Sequence, residues 1–215
     1  MKANNHTSPS NTNIKSVAVF AFMVMVSCLI VGCVVTSVYP YFKTKDIAFD
    51  EALLGKWIPA DQTNATTADE FWTFEKINDR AYKLSTMDGS STNRYDAVLF
   101  KLGGGMFLDC LTQERVELHT PSHVLLRVGS IQPQLKMELL NLEWLVELVK
   151  TNPAVIRHLI VTNAGRGERS DLILTGETPE LQKFILSHLK TKEAWLEPLV
   201  MRRPASPSSA PSRSK

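Results

Sequence analysis

Few residues of this chain have the types and spacing that chemistry requires. His119 and His123 stand four apart in His119-Thr120-Pro121-Ser122-His123. That spacing brings two imidazoles to one metal ion on a helix, and Pro121 forbids a helix there, so no metal site is expected. Asp109, in Phe107-Leu108-Asp109-Cys110, has the chemistry of a buried general acid, but a strand-end carboxylate facing water is the simpler reading. Cys110 has no nucleophile signature around it and reads as a small apolar residue of the core. Gly165-Arg166-Gly167-Glu168-Arg169 offers two guanidinium groups to an anion and serves equally well as a polar hairpin loop. Gly103-Gly104-Gly105 would cradle a phosphate only ahead of a helix. An apolar strand pattern follows it instead, so it is a hairpin turn. The chain carries no nucleophile elbow, phosphate loop or zincin pattern. No catalytic residue, metal or cofactor is assigned, and an enzyme, of hydrolase type through Asp109 or the histidines, is the remote reading.

Composition narrows the field further. The net charge is +2, with 24 Lys and Arg interspersed among 22 Asp and Glu, so no electrostatic footprint for nucleic acid is present. Of Cys28, Cys33 and Cys110, only Cys110 falls inside the expected domain, which excludes a disulfide framework or a thiolate zinc site. The fold must stand on its hydrophobic core. With both ends reading as non-globular, the 215 residues hold one domain, expected over residues 49–201.

The elements of that domain follow from periodicity. Glu70-Phe71-Trp72-Thr73-Phe74-Glu75-Lys76-Ile77 and the alternating run 81–87 flank Asn78-Asp79-Arg80 and form a hairpin. Runs 94–102 and 106–111 flank the glycine triplet as a second pair. In 123–128, Val124, Leu126 and Val128 share a face; in 134–139, Leu135, Met137 and Leu139 alternate with Gln134, Lys136 and Glu138. Strands at this spacing favour an antiparallel meander that curls toward closure, since closure removes exposed edges.

The period then switches to that of a helix. Leu142, Leu145, Val146 and Val149 make one stripe, with Asn141 as cap and Asn152-Pro153 as stop. After strand-like runs at 156–161 and 171–175, a second helix opens with Thr178 as N-cap, Pro179 and Glu180 in its first turn, and Leu181, Phe184, Ile185 and Leu189 on one face. The class is α+β: mainly antiparallel β with two amphipathic helices in the C-terminal half, an open sheet being the rival to a barrel. Residues 202–215 are basic and Pro/Ser-rich and read as a disordered tail.

Ahead of the domain, residues 17–38 hold no charge. A helix of that length, about 22 residues, would reach roughly 33 Å and span a bilayer. Within the run, Ile30-Val31-Gly32-Cys33 resembles the lipobox of bacterial lipoproteins: an aliphatic residue, a tolerant position, a small residue, then cysteine. The resemblance implies a signal peptide over residues 1–32, acylation of the Cys33 thiol and a mature chain that starts there. Two or more acyl chains, at about 0.8 kcal/mol per buried methylene, hold a protein firmly in a membrane. The other reading, an uncleaved transmembrane helix, draws on Val34 and Val35 continuing the apolar run. Lys2 and Lys15 favour a cytoplasmic start, so either reading places the domain on the exported side, periplasmic or extracellular. Residues 33–48, with Tyr39-Pro40-Tyr41-Phe42, read as a tether.

The stretch from Gly32 to Trp57 resembles an arrangement in uncharacterised bacterial lipoproteins, where an aromatic-acidic tether leads to a Leu-Leu-Gly-x-Trp strand. Gly55-Lys56-Trp57 is also similar to the Gly-x-Trp that opens lipocalin-like barrels. That similarity implies close backbone approach at the glycine and an indole plugging one barrel end. Two functions are expected from this reading. The domain is a membrane-anchored, non-catalytic module that takes a lipid-like ligand or envelope component, in a cavity lined by Trp57, Trp72, Phe74, Tyr82 and Leu126. Alternatively, it is a structural or interaction protein of the cell envelope with a filled core.

Processing separates the two anchors. With a working lipobox, mass spectrometry of the membrane-extracted protein will show a chain lacking residues 1–32 and carrying acyl chains, and Cys33→Ala will leave an uncut, unacylated precursor. An intact amino terminus without lipid would establish the transmembrane helix.

Overall fold

The computed structural model of the protein describes residues 34–62, 70–113, 122–162 and 170–205. The lipobox-like motif with Cys33, His119, the loop at 165–169 and residues 206–215 lie outside the described residues. Eleven strands are described: β1 (Thr36–Ser37), β2 (Gly55–Pro59), β3 (Glu70–Asn78), β4 (Ala81–Asp88), β5 (Ser91–Leu102), β6 (Gly105–Thr112), β7 (His123–Ser130), β8 (Leu135–Leu139), β9 (His158–Thr162), β10 (Ser170–Leu174) and β11 (Leu199–Arg202). Two helices accompany them, α1 (Leu142–Thr151) and α2 (Thr178–His188).

Eight of the strands close into an antiparallel barrel in the order β6-β5-β4-β3-β2-β11-β8-β7, with β7 returning to β6. Closure leaves none of these eight edges unpaired along the barrel seam. The molecule is therefore mostly β with two helices, and the label α+β fits it only loosely. Tight turns set the meander. The Asn78 side chain accepts from the Arg80 N–H at 2.8 Å between β3 and β4. Between β5 and β6, Gly103 and Gly104 have φ of 57° and 80°, the pair of positive values that a two-residue hairpin turn requires. A Cβ at Gly103 would also run into Leu186 of α2. The glycine triplet is thus a turn that lets a helix lie close.

The strand that completes the barrel, β11, has only four residues and follows Pro198, so periodicity alone does not reveal it. It pairs Leu199 with Met137 of β8 and Met201 with Pro59 of β2. Arg202 belongs to this strand, so the chain stays ordered beyond the expected start of the tail.

Two apolar layers result. Inside the barrel lie Trp57, Trp72, Phe74, Tyr82, Leu84, Leu108, Leu126 and Met137, all buried. On the outer wall, Phe100, Phe107 and Leu125 are covered by Leu145 and Val149 of α1, Leu181, Phe184 and Ile185 of α2, and Trp195. Phe107 stacks on Phe100 at 5.5 Å between ring centroids and meets Trp195 at 6.1 Å. Arg127 reaches from β7 over the Trp195 ring, pairs with Glu138 and donates to the Leu189 carbonyl at 3.0 Å, fixing the end of α2 to the barrel.

The helix starts differ in how they are capped. Asn141 caps α1 as expected, its Oδ1 accepting from the N–H groups of Glu143 and Trp144. For α2 the N-cap is Glu177, and Thr178 is the first helical residue. The Thr178 hydroxyl is spent elsewhere, donating to the Pro40 carbonyl at 2.7 Å.

That bond is one of several that pack the segment read as a tether onto the domain, from Val34 onward. Val35 and Tyr41 are buried in the outer-wall core. Thr36 pairs with Val124 of β7 on one side and Ile173 of β10 on the other. The Ala48 N–H donates to the Leu99 carbonyl at 2.8 Å. The apolar residues that seemed to prolong a membrane segment are instead core residues of the folded body.

Phe107 joins the barrel wall to its helical cover, so Phe107→Ala should cost about 3–5 kcal/mol, the range for a fully buried aromatic ring. Urea unfolding followed by tryptophan fluorescence will read the loss.

Candidate functional site

The residues expected to line a ligand cavity, Trp57, Trp72, Phe74, Tyr82 and Leu126, do converge in the barrel interior. Each is committed to packing there. The Trp57 indole N–H donates to the Leu53 carbonyl at 2.8 Å, and the Arg203 guanidinium lies over its ring at 3.8 Å. Gly55 makes that approach feasible: its φ is 96°, and a Cβ there would meet Arg203 Nη1 at 2.9 Å. Tyr82 stacks on Phe49 at 4.7 Å, takes Phe74 edge-on at 6.2 Å, and its hydroxyl accepts from the Asp50 N–H and donates to the Asp50 carbonyl. The segment from Phe49 to Leu53 thereby closes this end of the barrel.

Towards the other end a gap remains between Trp72, Thr86, Tyr95, Cys110, Val124 and Leu126, with a cavity volume of about 10 Å³. That is space for roughly one water-sized sphere. Trp72 and Leu126 border it, whereas Trp57, Phe74 and Tyr82 do not. Cys110 points into the same interior; burial, and after it the charge of Asp109, push its thiol well above the ordinary value. A thiol held protonated and covered is a poor nucleophile.

On the outer wall, the sequence reading of Asp109 is overturned. Its side chain does not face water: the residue is 1% exposed. One carboxylate oxygen lies 2.6 Å from His123 Nδ1 and the other accepts from the Tyr41 N–H at 2.8 Å. The alternation of β6 explains this, because Leu108 and Cys110 point inward and Asp109 must then point out, under the covering N-terminal segment. His123, 8% exposed, sits opposite Ser37 of β1 in the ladder.

A serine, a histidine and an aspartate thus meet, and their arrangement decides what they can do. The Ser37 hydroxyl is fully buried, donates to the Tyr39 carbonyl at 2.9 Å and accepts from the Tyr39 N–H at 3.2 Å. A nucleophile needs a base at its proton and an open face toward substrate. Ser37 is occupied by its own turn and has no open face. The cluster is a fastening, in which Asp109 satisfies a backbone donor of the N-terminal segment and holds His123. Tyr41 completes it; burial, and then the Asp109 charge, raise its phenol far above the ordinary value, and its hydroxyl lies near Ser37 with no bond of good geometry. Among the described residues, no group of three His, Cys, Asp or Glu could hold a metal ion.

The signal for this cluster was present but faint. Asp109 is the one acid in the apolar run Met106-Phe107-Leu108-Asp109-Cys110-Leu111, and His123 opens the strand that pairs with it. Only the fold brings Ser37 and Tyr41 to them.

Removing Asp109 leaves the Tyr41 N–H and the His123 ring without their buried acceptor, so Asp109→Ala should lose about 1–3 kcal/mol for each group left unpaired. Combined with His123→Leu, the loss should be less than the sum of the two single losses in a double-mutant cycle read by denaturant unfolding. Additive losses would show that the two side chains are not coupled. No family model, curated protein or solved structure matches this chain, which leaves its geometry to speak for its function.

Proposed function

We propose that this protein is a membrane-anchored, exported component of the cell envelope whose barrel is a solid scaffold and which works through its outer surface. The observation that carries this reading is how the described residues fill the barrel interior. Small-molecule sites commonly need about 300–1,000 Å³, and the gap beside Trp72 and Cys110 has about 10 Å³. We read the barrel as lipocalin-like in plan, given Gly55-Lys56-Trp57 in its first barrel strand, but with its cup occupied by its own side chains. The interaction function therefore ranks ahead of a lipid-like ligand held inside.

The anchor reading also sharpens. Because Val35, Thr36 and Ser37 belong to the folded body, an anchor can use only residues 17–33, about 17 residues or roughly 25 Å of helix. That lies at the lower limit for a bilayer core of about 30 Å. Acylation at Cys33 has no such length requirement, which favours the lipoprotein over the spanning helix. Among the described residues no helix is long and apolar enough to cross a membrane.

A thermal-shift assay on the full chain in detergent tests the scaffold reading. Fatty acids and retinoid-sized probes at about a hundred times a micromolar Kd would stabilise a true binder by about 2.7 kcal/mol. The expected outcome is no rise in Tm. A saturable rise that Trp72→Ala alters would return the ligand-binding function to first place.

A further inference from the structure

Outside the barrel, β1, β10 and β9 form a small flap that departs from β7. Thr36, Ile173 and Leu159 lie in one row across it, so their side chains share a face. Ile160, the next residue of β9, pairs with Leu172 and belongs to the other face. Among the described residues β9 ends the order of strands, and it is not blunted with charge as exposed edges usually are: Leu159 is 54% exposed and Ile160 41%. Tyr39, two residues beyond β1, is 43% exposed. Two of the five exposed large apolar side chains among the described residues are thus neighbours on β9, Tyr39, Ile77 and Leu186 being the others.

The flap is also where the chain enters the fold. Cys33 is three residues before Thr36, at most about 10 Å of extended backbone. Strands lie about 4.8 Å apart, so β9 is on the order of 10 Å from β1. With residues 34–48 built into the body, no slack remains between a membrane-held Cys33 and this flap. We infer that the flap's outer strand, carrying Leu159 and Ile160, rests in the headgroup region of the bilayer, so that lipid is the partner of this face. Apolar side chains on both faces of an edge strand suit an interface in which water and headgroups meet the free N–H and C=O groups. The inference depends on the membrane-anchored reading proposed above, and it adds the orientation of the body on the membrane.

The test uses the full chain in vesicles of phosphatidylethanolamine and phosphatidylglycerol with brominated acyl chains, which quench nearby indoles. Flotation reads the anchor, and fluorescence reads the flap. Of the four native tryptophans, Trp57, Trp72 and Trp195 are buried and Trp144 is half-buried, and emission and quenching of the wild-type chain are subtracted as background. Leu159→Trp should lose about half of its added emission at an interfacial depth of 5–10 Å, while Ile77→Trp, on β3, loses none. Ile160→Trp gives an independent reading should the first variant fold poorly. Flotation with no greater quenching at 159 and 160 than at 77 overturns the inference and leaves the anchor standing. A wild-type chain that does not float overturns both. A blue shift that grows with protein-to-lipid ratio and ignores bromine would assign the edge to a second copy of the chain, and overturns it too.

Discussion

Strand β6 is buried on both faces, since Leu108 and Cys110 point into the barrel while Phe107 and Asp109 point out under other parts of the chain. A barrel wall that faces water on its outside needs only one apolar face. This wall, made by β5, β6 and β7, needs two, and the second must be supplied by chain on either side of the meander. The two helices, the Trp195 segment and the N-terminal strand all pack there. Their placement follows from a single requirement, that Phe100, Phe107 and Leu125 leave water.

Asp109 is the one polar residue on the doubly buried part of β6, and its burial costs free energy unless every oxygen is matched. The match comes from His123 on the neighbouring strand and from the Tyr41 backbone. Gln182 of α2 donates to the Tyr41 carbonyl at 3.0 Å and to Asp46 at 2.8 Å, and Thr178 takes the Pro40 carbonyl. A carboxylate, an amide side chain and a hydroxyl thus hold the chain from Pro40 to Asp46 between barrel and helix. Polar groups here specify which segment covers the wall, a task that apolar contact alone leaves open.

The sequence made the barrel readable wherever a strand has one wet face. β8 alternates Leu135, Met137 and Leu139 with polar residues, and β4 alternates Tyr82 and Leu84 with Lys83 and Ser85, so period and face agree. Capping was readable at Asn141, whose Oδ1 is free to cap because its other contact, to the Glu193 carbonyl at 3.0 Å, uses the amide nitrogen. It was misread at Thr178, because the hydroxyl serves a residue 138 positions away. β11 escaped notice because four residues are too few to show a period. Of the expected cavity residues, type alone foretold that they share an interior; whether that interior is empty depends on how side chains fill it, which no spacing encodes.

The hardest segment was 34–38, where a membrane span and a buried strand ask for the same residues. Val34, Val35 and Val38 satisfy either environment, since both exclude water, and only hydrogen-bond partners separate them. In a spanning helix the Val38 N–H would bond within its own helix; in this protein it donates to the Leu174 carbonyl at 3.0 Å. Once that strand belongs to the body, whatever holds residue 33 to a membrane also holds the body, with no free chain to let it turn. Were residue 33 the anchor proposed above, orientation on a lipid surface would follow from the position of β1 between β7 and β10.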